Sequence, residues 1–226
     1  MKRPYIICHM MESIDGRIDC NMTEKLAGVK EYYQVLEELD VLTTVSGKTT
    51  AQLELSEPGV FSPAEGSALG KTAFSKKADA KGYNIVTDTK GTLLWNDQKE
   101  SETPMLIITS EQVSEEYLAY LDSRHISWIA CGKEKIDLVE AVRILAEEFN
   151  VSRMAIVGGG TINAGFLDAG LLDEISMLIA PGIDGRGGMG ASFDRLPMEK
   201  EPVLLKLEQA VPYEDGAVWL RYSIQK

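Results

Sequence analysis

Cysteine and histidine are scarce in this 226-residue chain. Its three cysteines, Cys8, Cys20 and Cys131, are far apart and form no CxxC pair. Its two histidines, His9 and His125, have no Asp, Glu or Cys beside them at metal-ligand spacing. These counts indicate neither a zinc site nor a disulfide framework, so we expect no metal. A reducing cytoplasm fits this cysteine content best.

Long apolar runs are also lacking. No stretch approaches the roughly 20 apolar residues that a membrane-spanning helix needs. The apolar run near the N-terminus is interrupted by His9 and Glu12, so it does not form the hydrophobic region of a signal peptide. We therefore expect a protein that is neither secreted nor embedded in a membrane.

Positive charge is in short supply, because 23 Lys and Arg residues stand against 35 Asp and Glu residues, for a formal net charge of −12. Binding to nucleic acid or to a membrane surface relies on clustered Lys and Arg, so this composition argues against both partners. An anionic ligand would need a local exception to the acidic field. With 44% hydrophobic residues the chain can form a sizeable core, and its length favours a single domain over residues 1–226.

Short apolar runs alternate with longer helical patterns, which is typical of an α/β fold. The runs that predict strands are YIICHM, VLTTV, YNIVT, MLIIT, SWIAC, RMAIV and DEISMLIAP, and those that predict helices are VKEYYQVLEEL, DLVEAVRILAEEF and INAGFLDAG. The tail predicts two antiparallel strands around Asp215-Gly216, so we expect a mixed sheet. Residues 52–81 lack periodicity and predict a long excursion, either a functional loop or an ornamental insertion.

Three polar loops that contain glycine each follow a predicted strand. In VGGGTINAG, the residues Gly158, Gly159 and Gly160 precede a helix that Thr161 can cap. Such a loop either receives a pyrophosphate on its backbone N–H groups or is only a tight turn, and its own sequence does not decide between the two. The ribose-binding acid of a standard dinucleotide fingerprint does not follow about 20 residues later.

The second loop, TTVSGKTT, offers Gly47 for close approach, Lys48 as a point charge, and the hydroxyls of Thr49 and Thr50. The upstream glycine of a P-loop is missing, because position 42 is Leu42, so we reject an NTPase. The third loop, SIDG, carries a turn signal. Ligands of open α/β sheets bind beyond the carboxyl ends of the strands, so three such loops predict a ligand site there.

Taken in order, PYIICHMMESIDGRI, VLTTVSGKTT, VTDTKGTL and VGGGTINAGFLDAGLLDEISMLIAPGIDG resemble the reductase domain of riboflavin biosynthesis, within the dihydrofolate reductase-like fold. The resemblance spans nearly the whole chain. It implies a three-layer α/β/α fold with a mixed, mostly parallel sheet and a C-terminal antiparallel hairpin. It also implies a homodimer that transfers hydride from NADPH to the ribosyl C1′ of 5-amino-6-(5-phosphoribosylamino)uracil.

The resemblance assigns cofactor contacts by position. It places Met11 along the nicotinamide half of NADPH, and it places Lys48 at the 2′-phosphate, where the lysine supplies the local exception to an acidic chain. The other cofactor residues that it implies are Gly47, Thr49, Thr50, Thr89, Gly158, Gly159, Gly160 and Thr161.

The substrate side departs from the family's pattern. Val157 stands where the family has a glutamate before the glycines, and Glu38 stands where it has an arginine on the first helix. An acidic residue at that position would repel a phosphorylated substrate. Glu54 approximates a family aspartate and is our candidate catalytic residue, while Glu12 and Asp15 are the other nearby carboxylates.

The chain lacks the H-x-E and P-C-x-x-C elements of a zinc deaminase, so we expect at most a stand-alone reductase. Two alternatives stay open. One is a reductase of the same fold that acts on another small carbonyl, imine or pterin-like substrate. The other is a non-catalytic nucleotide-binding protein.

Overall fold

The computed structural model describes residues 3–63, 67–194 and 196–225. The helices of these residues are α1 Cys20–Thr23, α2 Val29–Glu38, α3 Lys48–Glu54, α4 Glu115–Ser123, α5 Leu138–Glu148 and α6 Gly160–Asp168. Their strands are β1 Tyr5–Ser13, β2 Thr44–Gly47, β3 Ala73–Ser75, β4 Asn84–Thr87, β5 Met105–Thr109, β6 Ser127–Ala130, β7 Arg153–Gly158, β8 Glu174–Ala180, β9 Leu205–Pro212 and β10 Val218–Ile224.

The chain divides into two compact units. The first unit contains the residues up to Pro4 and Leu42–Met154, and the second contains Tyr5–Val41 and the residues from Ala155 onward. The expectation of a single domain stays a prediction.

The first unit has its strands in the order β3-β6-β5-β4-β2. Strands β2, β4, β5 and β6 run parallel to one another, and β3 pairs antiparallel with β6. All five residues of β5 are buried, as expected for a parallel strand covered on both faces. Apolar side chains of α4, among them Tyr117 and Leu121, pack with β5 and β6 in one core.

Two helices of the first unit begin at side-chain caps. The Ser114 hydroxyl accepts the N–H of Tyr117 at the start of α4, and the Asp137 carboxylate accepts the N–H of Glu140 at the start of α5. Such caps satisfy backbone donors that have no partner within the helix. The polar loops of this unit follow the carboxyl ends of β2, β4 and β5. These strands and the capped helices belong to the same compact unit.

The second unit has its strands in the order β7-β1-β8-β10-β9. Strand β1 runs parallel to β8, with Ser13 opposite Ala180, so the loops that follow these two strands begin side by side. Strand β10 is antiparallel to both β8 and β9, and Gly216 forms the turn with a φ of 93°. The predicted mixed sheet and C-terminal hairpin are confirmed.

The predicted excursion over residues 52–81 needs a correction. Its first residues, 52–54, complete α3, because the Lys48–Glu54 segment continues the chain as helix directly from β2. Residues Ala73–Ser75 form β3, with Phe74 opposite Ile129 of β6. Sequence periodicity did not indicate this strand because three residues are too few to show a period.

Candidate active site

The second polar loop is the start of a helix in the first unit. Strand β2 ends at Gly47, and α3 begins at once with Lys48, followed by Thr49 and Thr50. Lys48 and Thr49 are exposed, and Thr50 is half-buried. Because β2 pairs in parallel with β4, with Gly47 opposite Thr87, this helix start lies beside the loop that follows β4.

The loop after β4 contains the predicted cofactor residue Thr89. Its carbonyl oxygen accepts hydrogen bonds from the Thr109 hydroxyl at 3.0 Å and from the Ser110 hydroxyl at 2.8 Å, which fix the loop on the end of β5. From the neighbouring helix start, Lys48 Nζ donates to Thr92 Oγ1 at 2.5 Å. The structure therefore brings together Gly47 to Thr50 and Thr89, as residues of two adjacent loops.

Glu54, the candidate catalytic residue, is the last residue of α3. It is exposed, and it belongs to the same short helix as Lys48. Its catalytic role stays a prediction.

The glycine run belongs to the second unit. Strand β7 ends at Gly158, the peptide bond from Gly158 to Gly159 is cis, and α6 begins at Gly160. The predicted cap at Thr161 is wrong, because Gly159 occupies the N-cap position and Thr161 is already the second residue of the helix. A glycine provides no capping side chain, so the backbone donors at this end need other partners.

The first backbone N–H groups of α6 are candidates for binding an anion. Ile162 and Asn163 donate to the Gly159 carbonyl at 3.0 and 3.2 Å. Within the part of the chain that the structure describes, the N–H groups of Gly160 and Thr161 make no hydrogen bond. Unpaired donors at a helix N-terminus attract anions, because the helix dipole adds partial positive charge there.

Met11 is buried in the second unit. Its side chain packs with Ile7, Leu178 and Trp219 in an apolar core. Only the backbone of Met11 and the small exposed part of its side chain are therefore available for the predicted contact with a nicotinamide.

The model of the RibD C-terminal domain matches residues 4–219. The chain belongs to this family. The predicted relationship to the riboflavin-biosynthesis reductase domain is confirmed, and the match extends over residues of both units.

Solved structures agree on the fold. A pyrimidine reductase-like protein of Corynebacterium diphtheriae is 18% identical, with a TM-score of 0.72 over 99% of this chain and 92% of that one. Acinetobacter baumannii RibD is 17% identical, with a TM-score of 0.66, and this chain spans 59% of its length. The riboflavin biosynthesis reductase Rib7 of Saccharomyces cerevisiae is 15% identical, with a TM-score of 0.62 over 100% of this chain and 91% of that one.

The dihydrofolate reductase-like fold class is likewise confirmed. The dihydrofolate reductase of Enterococcus faecalis, solved with NADP(H), aligns with 98% of this chain and 97% of its own at a TM-score of 0.50 and 12% identity.

The SIDG loop of this RibD C-terminal domain is fastened to the loop after β8. The Asp15 carboxylate accepts hydrogen bonds from the Ser13 hydroxyl at 2.6 Å, from the Asp184 N–H at 3.0 Å and from the Gly185 N–H at 2.9 Å. These hydrogen bonds hold the pKa of Asp15 well below its usual range. Asp15 is therefore an ionised structural carboxylate at neutral pH and a poor proton donor.

Glu12, another carboxylate named from the sequence, is tied to a different segment. The Ser192 hydroxyl donates to Glu12 Oε2 at 2.5 Å, and Asn163 Nδ2 donates to the Ser192 carbonyl at 2.7 Å. Partial burial raises the pKa of Glu12. No local sequence signal points to Ser192, because 180 residues separate it from Glu12.

The structure locates the two residues at which the substrate side departs from the family's pattern. Val157 is half-buried in β7 directly before Gly158, and Glu38 is the exposed last residue of α2.

Over residues 3–63, 67–194 and 196–225, no cluster of three or more His, Cys, Asp and Glu side chains is arranged to hold a metal ion. Across the same residues, no helix has the length and apolar character to cross a bilayer.

Proposed function

We propose that this member of the RibD C-terminal domain family is an NADPH-dependent reductase of riboflavin biosynthesis. The observation that carries the proposal is the family match over residues 4–219. The proposed substrate is 5-amino-6-(5-phosphoribosylamino)uracil, and the proposed reaction converts its ribosyl group to ribityl.

The residues present fit a phosphorylated nicotinamide cofactor. Lys48 is a half-exposed cation at the carboxyl end of β2 in a chain whose net charge is −12. Gly160 and Thr161 carry backbone donors at the start of α6. We propose that Gly47, Lys48, Thr49 and Thr50 contact cofactor phosphates and that Met11 lies along the nicotinamide half. The run Gly158, Gly159, Gly160 and Thr161 would also bind a phosphate, and Thr89 would complete the cofactor contacts.

The reaction needs a hydride and a proton. A bound NADPH would supply the hydride at C1′; the bond between C1′ and the ring oxygen would break, and a proton would be delivered to that oxygen. We propose Glu54 as the residue that delivers this proton, because it is the carboxylate that approximates the family's aspartate, whereas Asp15 is held in its ionised form. A Glu54→Gln variant should lose turnover while its Kd for NADPH stays unchanged.

Lost substrate residues favour a second candidate function, a reductase of the same fold with another small carbonyl, imine or pterin-like substrate. Val157 and the exposed Glu38 stand where a carboxylate and a phosphate partner would be needed. Oxidation of NADPH across a panel that includes the ribosylaminouracil phosphate separates the two candidates. Binding of NADPH without turnover of any substrate would leave only the non-catalytic nucleotide-binding alternative.

We also propose a cytoplasmic homodimer. Support for the homodimer comes from β9, which among the described strands pairs with β10 alone and whose Leu205 and Leu207 are 39% and 53% exposed. Apolar side chains on an edge strand are usually covered by a partner. Sedimentation of the wild type and of Leu207→Lys should give a dimer and a weakened dimer, and a wild-type monomer would contradict the proposal.

A further inference from the structure

A buried carboxylate organises the loop that faces Lys48 in the first unit. Asp88 follows β4, and only 1% of its side chain is exposed. Its Oδ2 atom accepts the N–H of Thr92 at 2.6 Å and the N–H of Leu93 at 2.9 Å. The turn is further fixed at Gly91, where a Cβ atom would lie 2.3 Å from Cδ1 of Tyr117. The hydrogen bonds to Asp88 and the close packing at Gly91 together fix the position of Thr92.

The second oxygen of this carboxylate faces the lysine. Asp88 Oδ1 lies 3.8 Å from Lys48 Nζ, within ion-pair range and beyond direct hydrogen-bond distance. Thr92 Oγ1 contacts both groups, at 2.5 Å from Lys48 Nζ and 3.3–3.4 Å from the two carboxylate oxygens. The ammonium group is therefore held at one end of a chain that runs through Thr92 to a buried negative charge.

A held lysine differs from an ordinary surface lysine. A lysine side chain loses considerable rotamer freedom when it meets a phosphate, and an ammonium group that is ordered beforehand has already lost it. Thr92 occupies one of the three N–H donors of Lys48, which leaves two for an anion. The side chain is still 44% exposed, so the free donors are accessible.

We propose that Asp88 and Thr92 are positioning residues that hold the Lys48 ammonium group for a phosphate monoester of the cofactor. The inference rests on the proposed use of NADPH. It adds that selectivity for the phosphorylated cofactor depends on a buried carboxylate that does not itself touch the phosphate.

Two substitutions separate the parts of this group. In Asp88→Asn, the amide oxygen can still accept the N–H groups of Thr92 and Leu93, so the loop stays closed while the ion pair is lost. In Thr92→Val, the hydroxyl is removed at nearly constant shape, and Thr92→Ser restores it. Melting temperatures of all variants show whether the fold is retained.

The readout is the Kd for NADPH and for NADH by fluorescence titration, with 2′,5′-ADP and 5′-ADP as a second pair of probes. We expect Asp88→Asn and Thr92→Val to weaken the binding of NADPH and 2′,5′-ADP by about three- to fivefold, the upper range for an ion pair whose lysine is solvent-exposed, with the binding of NADH and 5′-ADP unchanged. Thr92→Ser should recover wild-type affinity. In a Lys48→Ala background, Asp88→Asn should have no further effect.

Four results would overturn the inference. Tighter binding of NADPH by Asp88→Asn would mean that the carboxylate only repels the phosphate. An equal loss for both cofactors that persists in the Lys48→Ala background would mean that Asp88 only closes the loop. If Lys48→Ala weakens NADPH selectively while Asp88→Asn and Thr92→Val do not, the positioning role fails and the proposed function stands. If the wild type does not bind NADPH, both fail.

Discussion

A Cβ atom on Gly160 would lie 2.1 Å from the backbone carbonyl oxygen of Ala191. The Asp194 N–H also donates to the Gly160 carbonyl at 3.2 Å, so two backbone segments meet at this glycine. The last glycine of the GGGT run is thus required by packing inside the second unit, whatever else the loop binds.

The first prediction is that Gly160→Ala destabilises the fold by about 1–3 kcal/mol, the cost of forcing an extra carbon into a packed contact. Gly187→Ala is the matched control, because nothing lies within 4 Å of a Cβ at that position. Urea unfolding of both variants tests this. Equal stability of the two would show that the Ala191 segment yields without cost.

The second prediction concerns Lys48. Lys48→Ala should weaken NADPH by about tenfold, the loss of one charge-assisted hydrogen bond, and should leave NADH unchanged because NADH has no 2′-phosphate. Lys99→Ala is a control for the removal of one positive charge from an exposed position of the same unit. Titration of both cofactors gives the answer, and equal losses for the two cofactors would rule out the assigned role.

The third prediction concerns pH and His9. Its ring is buried, with Nε2 3.0 Å from the Tyr32 carbonyl and Nδ1 3.0 Å from the Ser176 hydroxyl. Trp219 Nε1 donates to the same hydroxyl at 2.8 Å. The Tyr32 carbonyl accepts from Nε2–H, and in the neutral ring Nδ1 accepts from the Ser176 hydroxyl. Burial lowers the pKa of His9 to about 4.

The unfolded chain binds a proton at His9 near the ordinary value of about 6.5, whereas the folded chain does so only near 4. Stability should therefore fall as the pH is lowered from about 6.5 to about 4, by about 3 kcal/mol from this residue. His9→Gln should flatten that dependence in urea unfolding. His125→Asn, at the exposed histidine, should keep it, and an unchanged slope in His9→Gln would refute the assignment.

The fourth prediction concerns the contact between the SIDG loop and the loop after β8. Asp15→Ala removes the acceptor of the Asp184 and Gly185 N–H groups, so hydrogen exchange at these two amides should become faster. Asp215→Ala is the control, because Asp215 accepts the Ala217 N–H at the hairpin turn and should affect only that amide. Unchanged exchange at Asp184 and Gly185 would show that Asp15 does not hold the loops together.

Much of the fold could be predicted from local sequence. MLIIT is a fully buried strand, and burial on both faces is visible in the sequence as a continuous apolar run. Asp215-Gly216 forms a hairpin turn, and its positive φ is visible as a glycine after an aspartate. The order of the four glycine and threonine motifs also identified the family. These features depend on neighbouring residues or on motif order.

The rest depends on residues that are distant in sequence. Gly160 is fixed by Ala191, and Glu12 is bonded by Ser192, which no periodicity or turn signal connects. The pairing of Lys48 with Thr92 follows from the parallel register of β2 and β4, which becomes known only with the sheet. Asp88 carries no signal in the sequence for the same reason, since there it is one polar residue of a turn.

The most direct test of the proposed function is a stoichiometric assay with NADPH and 5-amino-6-(5-phosphoribosylamino)uracil. NADPH oxidation is followed by absorbance and the ribityl product by mass spectrometry, with NADH in a parallel reaction. We predict one ribityl product for each NADPH oxidised, with NADH a poorer donor. Binding of NADPH without oxidation in the presence of this substrate would contradict the account.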